Sequence, residues 1–320
     1  MEADGDVCVL IPTLNEAETI GDVIEGLRAA GLDNILVIDG DSADDTAEIA
    51  ESAGARVMVQ SGSGKGQAVR EALEHVESEY VLMLDGDGTY APSQAERLLE
   101  PLRSGNADHV VGNRFADMEA GAMTRLNKVG NRIFNGVFKR VHGEDHGDIL
   151  SGYRAFTRDS FDRMHLQAEG FGIETEIAVE CVKRGLEVAV VPITYRARPA
   201  ESDPNLNPIA DGGRILLTLY SLAKTTNPLF YFGSIGAVIF GGGVVLGGYV
   251  GIEYFTQGIS HEIIAVVATL ALLLGGQLIL FGFLADMLAS LHRERLRRFD
   301  ELDERLEALD DRTEGSRLAM

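Results

Sequence analysis

Two aspartates separated by one glycine, Asp85 and Asp87, carry the clearest chemical signal in the chain. They follow the apolar run Val81-Leu-Met-Leu84, which suits a buried strand. In extended backbone, residues two apart project from the same side, so both carboxylates would face one ligand. Two hard oxygen ligands beside an open position suit Mg²⁺ or Mn²⁺ holding a substrate diphosphate. We therefore predict a metal and diphosphate site here; a plain solvated turn is the alternative.

A calcium-binding loop also places acidic residues at this spacing, and it must be weighed against the first interpretation. Such a loop needs glycine at its sharp turn, where this chain has Tyr90, and a helix rather than a strand should precede it. We therefore exclude a calcium loop. Gly86 and Gly88 leave room for a ligand to approach the backbone, so Gly86 joins the predicted ligand-binding residues.

The flanking pattern predicts the sheet that positions these carboxylates. Apolar runs at Val7–Pro12 and Ile35–Ile38 alternate with helical patterns, and Asn15 is a good N-cap for the first helix. Alternating strands and helices indicate an α/β fold with a parallel, doubly wound sheet. Ligands bind at the carboxyl ends of the strands in such sheets, and Asp39 and Asp85 both fall there.

A glycine-rich stretch, Gly62-Ser-Gly-Lys-Gly66, opens another predicted helix. It is not the phosphate loop of ATPases, because Gly66 replaces the required serine or threonine and the glycines are too closely spaced. Lys65 at a helix start could still contact a nucleotide phosphate, and ordinary turn chemistry is an equally good explanation. Lys65 is therefore a candidate nucleotide-binding residue, and an ATPase is excluded.

The chain is strongly acidic, with 28 basic and 50 acidic residues among 320 and a net charge of −22. No basic face could dominate such a field, so nucleic acid is excluded as a partner. Many acids and few lysines are typical of salt-loving archaea, in which carboxylates keep proteins hydrated and salt screens their repulsion. Cys8 and Cys181 lie in apolar surroundings and are predicted to be core residues in a reducing compartment.

The chain changes character after Asn227-Pro228. Residues 229–252 and 263–285 contain no charged side chain, and each stretch is long enough to span a bilayer. Lysines and arginines flank the pair, whereas the loop between them has none, so the positive-inside rule places both termini and the α/β domain in the cytoplasm. The glycines at 243, 247 and 251 predict close packing of the first span against another helix.

Four regions follow from these patterns. We expect a cytoplasmic α/β domain over 1–212, a juxtamembrane amphipathic segment over 213–228, a two-helix transmembrane domain over 229–285 and an acidic helical tail over 286–320. In the tail, apolar residues at helical spacing predict a short amphipathic helix that could pair with a second copy, which makes a homo-oligomer one option. They are Phe299, Leu302, Leu306 and Leu309.

A cationic stripe is a local exception in this acidic chain. Arg125, Lys128 and Arg132 lie at i, i+3 and i+7, so they share one face if residues 123–139 are helical. Arginine suits a fixed phosphate because its planar fork holds two oxygens, and anionic headgroups attract such a stripe. We predict that the stripe docks an anionic lipid phosphate at the membrane surface. The alternative is an ordinary solvated helix face.

Five motifs, in order, make the chain resemble family 2 glycosyltransferases. They are Ile11-Pro-Thr-Leu-Asn-Glu16, Val37-Ile-Asp-Gly-Asp-Ser42, Asp85-Gly-Asp87, Gly112-Asn-Arg114 and Asp148-Ile-Leu-Ser-Gly-Tyr153. With two carboxyl-terminal spans and an acidic composition, the chain is most similar to the dolichyl-phosphate glucosyltransferases that serve protein N-glycosylation in haloarchaea. The resemblance implies a GT-A nucleotide-binding fold and a metal-dependent, inverting transfer of a hexose from a nucleotide sugar to dolichyl phosphate.

The resemblance also implies roles for individual residues. The base and ribose would lie against Pro12, Leu14, Glu16, Ile38 and Asp39. The metal and diphosphate would be bound by Asp85 and Asp87, the phosphates would face Arg114 and Arg154, and Asp148 would belong to the same catalytic set. Arg198 would lie on a loop that closes over the nucleotide, and Asp203-Pro-Asn-Leu206 stands where that loop often has lysine. Glu174 and Glu176 would orient sugar hydroxyls or form a solvated helix start.

The donor is open between two nucleotide sugars. Likeness to the haloarchaeal glucosyltransferases favours UDP-glucose, and so do the missing lysine and Thr89, which stands where mannose-type enzymes often have glutamine. GDP-mannose, the donor of the wider mannose synthases, is the alternative. A sugar nucleotidyltransferase is disfavoured, because its glycine-rich signature is absent after the first strand. A non-catalytic, membrane-tethered binding module is disfavoured, because the acidic pair, Arg114 and Asp148 are all present.

Overall fold

The structure, a computed structural model, describes residues 6–168, 170, 172–198 and 227–318, together with single positions at 213, 217, 220, 223 and 224; side chains are described as far as residue 291. The chain divides into two compact units, Met1–Leu219 and Tyr220–Met320. Most of the predicted juxtamembrane segment, the loop residues 201–206 and the side chains of the acidic tail lie outside the described residues. The predicted domain boundaries stay predictions.

A seven-stranded sheet forms the centre of the first unit. Its strands are β1 (Val7–Thr13), β2 (Ile35–Asp39), β3 (Arg56–Val59), β4 (Tyr80–Met83), β5 (His109–Met118), β6 (Arg154–Thr157) and β7 (Val188–Tyr195). Their order across the sheet is β3-β2-β1-β4-β6-β5-β7. Strands β1 to β4 are parallel, as the sequence predicts, and β5 is parallel to β7.

Strand β6 departs from the predicted parallel sheet, because it runs antiparallel to both β4 and β5. Its first residue, Arg154, pairs with the last residue of β4, Met83. The chain therefore enters β6 at the carboxyl edge of β4 and must run back in the opposite direction. This reversal brings the residues just before β6 to the same edge of the sheet as Asp85, and the sheet is mixed rather than wholly parallel.

Helices cover both faces of this sheet. They are α1 (Ile20–Ala29), α2 (Thr46–Ser52), α3 (Lys65–Leu73), α4 (Ala95–Arg103), α5 (Arg125–His142), α6 (Arg158–Asp162) and α7 (Ile173–Arg184). Val9 and Ile11 of β1 belong to a core cluster with α1 and α4, whereas Cys8 and Leu10 belong to a cluster with α3. Burial on both faces explains why β1 is an unbroken apolar run. Cys8 and Cys181 are free and buried, as predicted.

The second unit contains two long helices, α8 (Pro228–Gln257) and α9 (Glu262–Leu318). Within them, Pro228–Gln257 and Glu262–Leu291 are each 30 residues long and apolar enough to cross a membrane, judged by length and composition. Both predicted spans lie inside these helices, which indicate a membrane-anchored protein. The backbone of the acidic tail continues α9 without a break as far as Leu318.

Helices α8 and α9 approach each other closely through glycines. A Cβ atom at Gly236 would lie 2.7 Å from the carbonyl oxygen of Gly275, and one at Gly243 would lie 2.9 Å from the backbone nitrogen of Leu272. Larger side chains would therefore push the helices apart. Gly243 has the packing role that the sequence predicts, whereas Gly251 has no neighbour within 4 Å of such an atom.

Candidate active site

The loops that follow β1 and β2 are joined by hydrogen bonds at the carboxyl edge of the sheet. The backbone N–H of Asn15 donates to Ser42 Oγ at 2.9 Å, and Asn15 Oδ1 accepts the backbone N–H of Ala43 at 2.8 Å. Asn15 and Asp41 both have left-handed backbone, with φ of 55° and 64°, a conformation that these two residue types tolerate better than most. Asn15 therefore links two loops and is not the predicted N-cap, since α1 begins at Ile20.

Asp39 ends β2 with its carboxylate held in place. Its Oδ2 accepts the backbone N–H of Ser42 at 2.8 Å, and its Oδ1 accepts the hydroxyls of Ser42 at 2.6 Å and Thr13 at 3.3 Å. Pro12 is the sheet partner of Ile38, one position before Thr13 and Asp39. The structure thus brings Pro12 and Asp39 together, whereas the Ile38 side chain is fully buried in the core beneath them.

The loop after β1 carries the other residues predicted to bind the nucleotide. Leu14 is 41% exposed. Glu16 is buried, and its backbone N–H donates to Thr46 Oγ1 at 2.9 Å. Arg198, which follows β7, pairs through Nη2 with Glu16 Oε1 at 2.5 Å and lies 3.3 Å from Asp87 Oδ2. Arg198 therefore links the predicted nucleotide pocket to the predicted metal site, although it is distant from both in sequence.

Asp85 and Asp87 lie in the turn that follows β4, whose last strand residue is Met83. Asp87 Oδ1 accepts the backbone N–H and the hydroxyl of Thr89, at 3.1 Å and 2.6 Å. Burial, together with the negative charge of Asp85, raises the pKa of Asp87. The two carboxylates are therefore close enough to repel each other. A divalent cation would offset that repulsion, so the pair fits the predicted ion.

The ligand set at this turn is small. Among the residues that the structure describes, no group of three or more His, Cys, Asp or Glu side chains could hold a metal ion. An ion at Asp85 and Asp87 would thus draw further ligands from a bound diphosphate, which is usual for Mg²⁺.

Two glycines allow the chain to pack closely around the acidic pair. A Cβ atom at Gly86 would lie 2.7 Å from Thr13 Cγ2, and one at Gly152 would lie 2.5 Å from Asp85 Oδ2. Gly86 is therefore needed for packing against β1.

Lys65 forms an ion pair with Asp85. Its Nζ lies 2.5 Å from Asp85 Oδ1 and 2.5 Å from Glu174 Oε1, so it bridges two carboxylates. Burial opposes its positive charge, but the attraction of Asp85 and Glu174 outweighs burial and raises the pKa of Lys65. The glycine-rich helix start therefore faces the acidic pair. Glu174 is buried and does not form a solvated helix start, and no local pattern links it to Lys65.

Glu176, two residues after Glu174 in α7, has a different environment. Its carboxylate accepts hydrogen bonds from the backbone N–H of Ala168 at 2.7 Å and from the backbone N–H of Gln167 at 2.9 Å. Glu176 is also buried, and its two hydrogen bonds hold the segment that precedes α7. Of the two acids, Glu174 is the one that contacts Lys65, which in turn contacts Asp85.

Arg114 and Asp148 form a buried, two-pronged ion pair. Arg114 Nε and Nη2 donate to Asp148 Oδ2 and Oδ1 at 2.6 Å and 2.8 Å. Burial opposes the guanidinium charge, but Asp148 outweighs burial and raises the pKa of Arg114. The guanidinium carbon lies 5.4 Å from the centre of the Tyr195 ring, within the range of a cation–π contact. Asp148 therefore sets the orientation of Arg114.

Arg154, predicted to face the phosphates, is fully buried. Its Nε donates to the carbonyl of Ser151 at 2.8 Å, its Nη2 donates to the carbonyl of Ile149 at 2.6 Å, and its Nη1 lies 3.2 Å from His109 Nε2. All three nitrogens thus have partners inside the protein. The structure gives Arg154 the role of holding the turn that follows Asp148, and does not bring it to the acidic pair.

The predicted cationic stripe lies on α5, which begins at Arg125. Arg125 and Arg132 are exposed and Lys128 is half-buried. Asn131, which precedes Arg132, accepts Arg114 Nη2 at 3.4 Å. The stripe therefore belongs to the helix that borders the Arg114–Asp148 pair.

Comparison with known proteins supplies the family. Residues 8–164 match the glycosyl transferase family 2 domain. Glycosyltransferase AglJ of Haloferax volcanii is 60% identical over 298 residues, which cover 93% of this chain and 98% of that protein. The dolichyl-phosphate hexose transferase of the same organism is 33% identical over 212 residues, which cover 66% of this chain and 90% of that protein.

A solved structure shares the fold. Glucosyl-3-phosphoglycerate synthase from Mycobacterium tuberculosis, in complex with Mn²⁺, uridine diphosphate and glucosyl-3-phosphoglycerate, matches with a TM-score of 0.57 and 25% identity, over 68% of this chain and 79% of that chain. The predicted GT-A fold is confirmed, with the antiparallel β6 as a departure from a wholly parallel sheet. The resemblance drawn from the five motifs is confirmed as well: the chain is a glycosyltransferase and belongs to glycosyl transferase family 2.

Proposed function

We propose that the protein transfers a hexose from a nucleotide sugar to dolichyl phosphate at a membrane surface, with Mg²⁺ or Mn²⁺. The observation that carries this proposal is the turn with Asp85 and Asp87, which lies at the carboxyl edge of the sheet and is contacted by Lys65 and Arg198. The dolichyl-phosphate hexose transferase among the relatives supports the acceptor. The Mn²⁺ and uridine diphosphate in the structural neighbour support the ion and the kind of donor.

On the donor side, Asp85 and Asp87 lie at the position proposed for the diphosphate, and the two cations that contact them, Lys65 and Arg198, also pair with Glu174 and Glu16. When bound, a divalent ion at Asp85 and Asp87 would neutralise the diphosphate and favour its departure. Lys65 and Arg198 already lie within 3.3 Å of these carboxylates, so small shifts would let them contact phosphate oxygens. Asp39 and Pro12, at the ends of β2 and β1, would hold the nucleoside.

On the acceptor side, no strong base is needed. A phosphate monoester is mostly a dianion near neutral pH, because its second pKa is about 6. One of its oxygens attacks the anomeric carbon, the bond from that carbon to the diphosphate breaks, and the nucleoside diphosphate leaves with the electron pair. A single displacement inverts the anomeric centre. The chain contributes by holding charges in place: Asp148 fixes Arg114, and the stripe of Arg125, Lys128 and Arg132 attracts the acceptor phosphate.

The proposed donor is UDP-glucose, and GDP-mannose is the alternative. Membranes that contain the full chain would be incubated in molar KCl with each radiolabelled nucleotide sugar and dolichyl phosphate, with and without EDTA. We expect label from UDP-glucose in a chloroform-soluble lipid, and we expect EDTA to abolish it. Label from GDP-mannose alone would overturn the choice of sugar. Absence of labelled lipid with every donor, while the protein still binds nucleotide sugar, would favour a binding module.

The same proposal gives the protein an orientation and a place in the cell. We infer that the catalytic domain and both termini are cytoplasmic and that the lipid-linked sugar feeds protein N-glycosylation. Ser260, in the loop between α8 and α9, and Ser104, in the first unit, are both exposed. In intact cells, a membrane-impermeant maleimide should label Ser260→Cys and leave Ser104→Cys unlabelled until lysis; the reverse result would invert the orientation. Glycopeptides from cells without the protein should lack the hexose.

A further inference from the structure

Helix α5 presents aliphatic side chains to the outside of the first unit. Leu126 is 63% exposed, and Val129 and Ile133 are each 53% exposed. These residues lie at i, i+3 and i+7, so they form one continuous line along the helix, called the aliphatic stripe below. Single exposed apolar residues are common on protein surfaces, but an ordered line of three on one helix marks an interaction surface.

The opposite side of α5, which faces the protein, carries asparagines. Asn127, Asn131 and Asn135 lie four residues apart and are all half-buried. Asn135 Oδ1 accepts the backbone N–H of Ile149 at 3.0 Å, and Asn131 is the residue that contacts Arg114. A surface helix in water turns its apolar face to the core and its polar face outward. In its first three turns, α5 has the reverse arrangement.

The cationic stripe completes the pattern. At 3.6 residues per turn, successive residues are about 100° apart, so Arg125, Lys128 and Arg132 fall between the asparagine side and the aliphatic stripe. Aliphatic residues flanked by arginine and lysine are the composition of helices that lie in a membrane interface. The cations belong to a chain with a net charge of −22, so their grouping on this helix provides charge complementarity to anionic lipid headgroups.

The structure also shows that α5 is a well-bounded helix rather than a frayed segment. The Thr124 side chain accepts the backbone N–H of Asn127 at its start, and Gly143 ends it with left-handed backbone at φ 83°. Both ends are therefore capped by the chain itself. Caps of this kind reduce the number of unpaired backbone groups that the helix ends would bring into the headgroup region.

We infer that α5 lies in the membrane interface, with the aliphatic stripe of Leu126, Val129 and Ile133 inserted among the lipid chains of an anionic bilayer. The two spans of the second unit tether the chain to that bilayer. The inference deepens the proposed function, because it gives a position in the bilayer to the helix that carries the cationic stripe, but its test does not depend on sugar transfer. It would set the cationic stripe at the depth of the lipid phosphates, where an acceptor phosphate also lies.

A fluorophore that responds to its surroundings can test this directly. Val129→Cys would be labelled with NBD in a chain that also carries Cys8→Ala and Cys181→Ala, and the full-length protein would be reconstituted in vesicles with anionic phosphatidylglycerol. Val59 provides the matched control, since it is also valine, is 57% exposed and lies on the edge strand β3. No nucleotide sugar or acceptor is needed, so the result is independent of whether transfer occurs.

We expect the probe at Val129 to emit at shorter wavelength and to lose most of its intensity when the lipids carry doxyl groups on their acyl chains. The probe at Val59 should show neither change. Leu126→Gln combined with Ile133→Gln should abolish the effect at Val129 while the helix content, measured by circular dichroism, stays unchanged. Equal signals from the two probes would overturn the inference. A wavelength shift that lipid quenchers do not affect, and that grows with protein density, would assign the stripe to a second copy instead.

Discussion

Removal of the Asp148 carboxylate should destabilise the first unit and stop transfer, both through Arg114. Asp148 is fully buried, and Arg114 is 8% exposed. In Asp148→Ala, the guanidinium keeps its charge, stays out of water and loses both of its bonds at 2.6 Å and 2.8 Å. Breaking a buried ion pair by removing one partner costs about 3–5 kcal/mol. That loss is a large fraction of the free energy of unfolding of a typical domain, about 5–15 kcal/mol.

The same cost can be expressed as a melting temperature. For a domain of about 150–250 residues, each kcal/mol shifts Tm by about 2–4 °C, so Asp148→Ala should lower Tm by about 6–20 °C. The control replaces both partners, with Arg114→Met and Asp148→Leu together. Replacing a buried ion pair with apolar residues of similar volume is often neutral or stabilising. The double variant should therefore regain most of the lost stability.

The two roles of the pair separate in a combined assay. The chain has no tryptophan, so unfolding would be followed by far-ultraviolet circular dichroism, and sugar transfer to lipid would be measured in parallel. We expect Asp148→Ala to be unstable and inactive, and the double variant to be stable and inactive. A Tm change in Asp148→Ala below the ~2 °C expected for one kcal/mol would refute the structural reasoning. Transfer at the normal rate by the double variant would show that Arg114 has no part in catalysis.

Three further predictions concern the surrounding residues. Asp87→Asn should leave the fold intact and reduce turnover at least about a hundredfold, a loss of roughly 2.7 kcal/mol, measured as labelled lipid with EDTA controls; near-normal turnover would contradict a metal role. Lys65→Met should raise KM for the nucleotide sugar about tenfold, which corresponds to about 1.4 kcal/mol, because the diphosphate loses a cation. Lys65→Arg should have a smaller effect on KM, because it keeps the positive charge. An unchanged KM in Lys65→Met would argue against contact with the donor. Arg125→Glu with Arg132→Glu should raise KM for dolichyl phosphate and leave the nucleotide-sugar KM nearly unchanged; the opposite split would remove the stripe from the acceptor site.

Local patterns predicted the parts of the fold that depend on neighbouring residues. The apolar runs before Asp39 and Asp85 became β2 and β4, because burial on both faces demands unbroken apolar sequence. The charge-free stretches lie within α8 and α9, whose length and apolar composition would allow each to cross a bilayer. Because β2 and β4 run parallel to β1, Asp39 and Asp85 lie at the same, carboxyl edge of the sheet.

Features that depend on distant parts of the chain were not predictable from local pattern. Arg154 lies in a polar motif, and only its burial among backbone carbonyls shows that it holds a turn. Strand β6 has four residues, too few to indicate its direction, which follows from where the chain re-enters the sheet. The contact of Lys65 with Glu174 joins two helix starts that no sequence spacing relates. The left-handed backbone of Asn15 likewise depends on a partner loop.

The ion pairs of the site have a consequence for where the protein can work. Lys65 Nζ lies 2.5 Å from Asp85 Oδ1, and Arg114 Nε lies 2.6 Å from Asp148 Oδ2. Most of the net charge of −22 is carried by other residues. The Debye length shortens from about 30 Å at 0.01 M salt to about 3 Å at 1 M. In brine, therefore, the acidic surface hardly repels an anionic nucleotide sugar, while the Arg114–Asp148 pair persists because its side chains are buried away from water and salt. In dilute buffer the same surface would slow the approach of its own donor, even with every residue of the site in place.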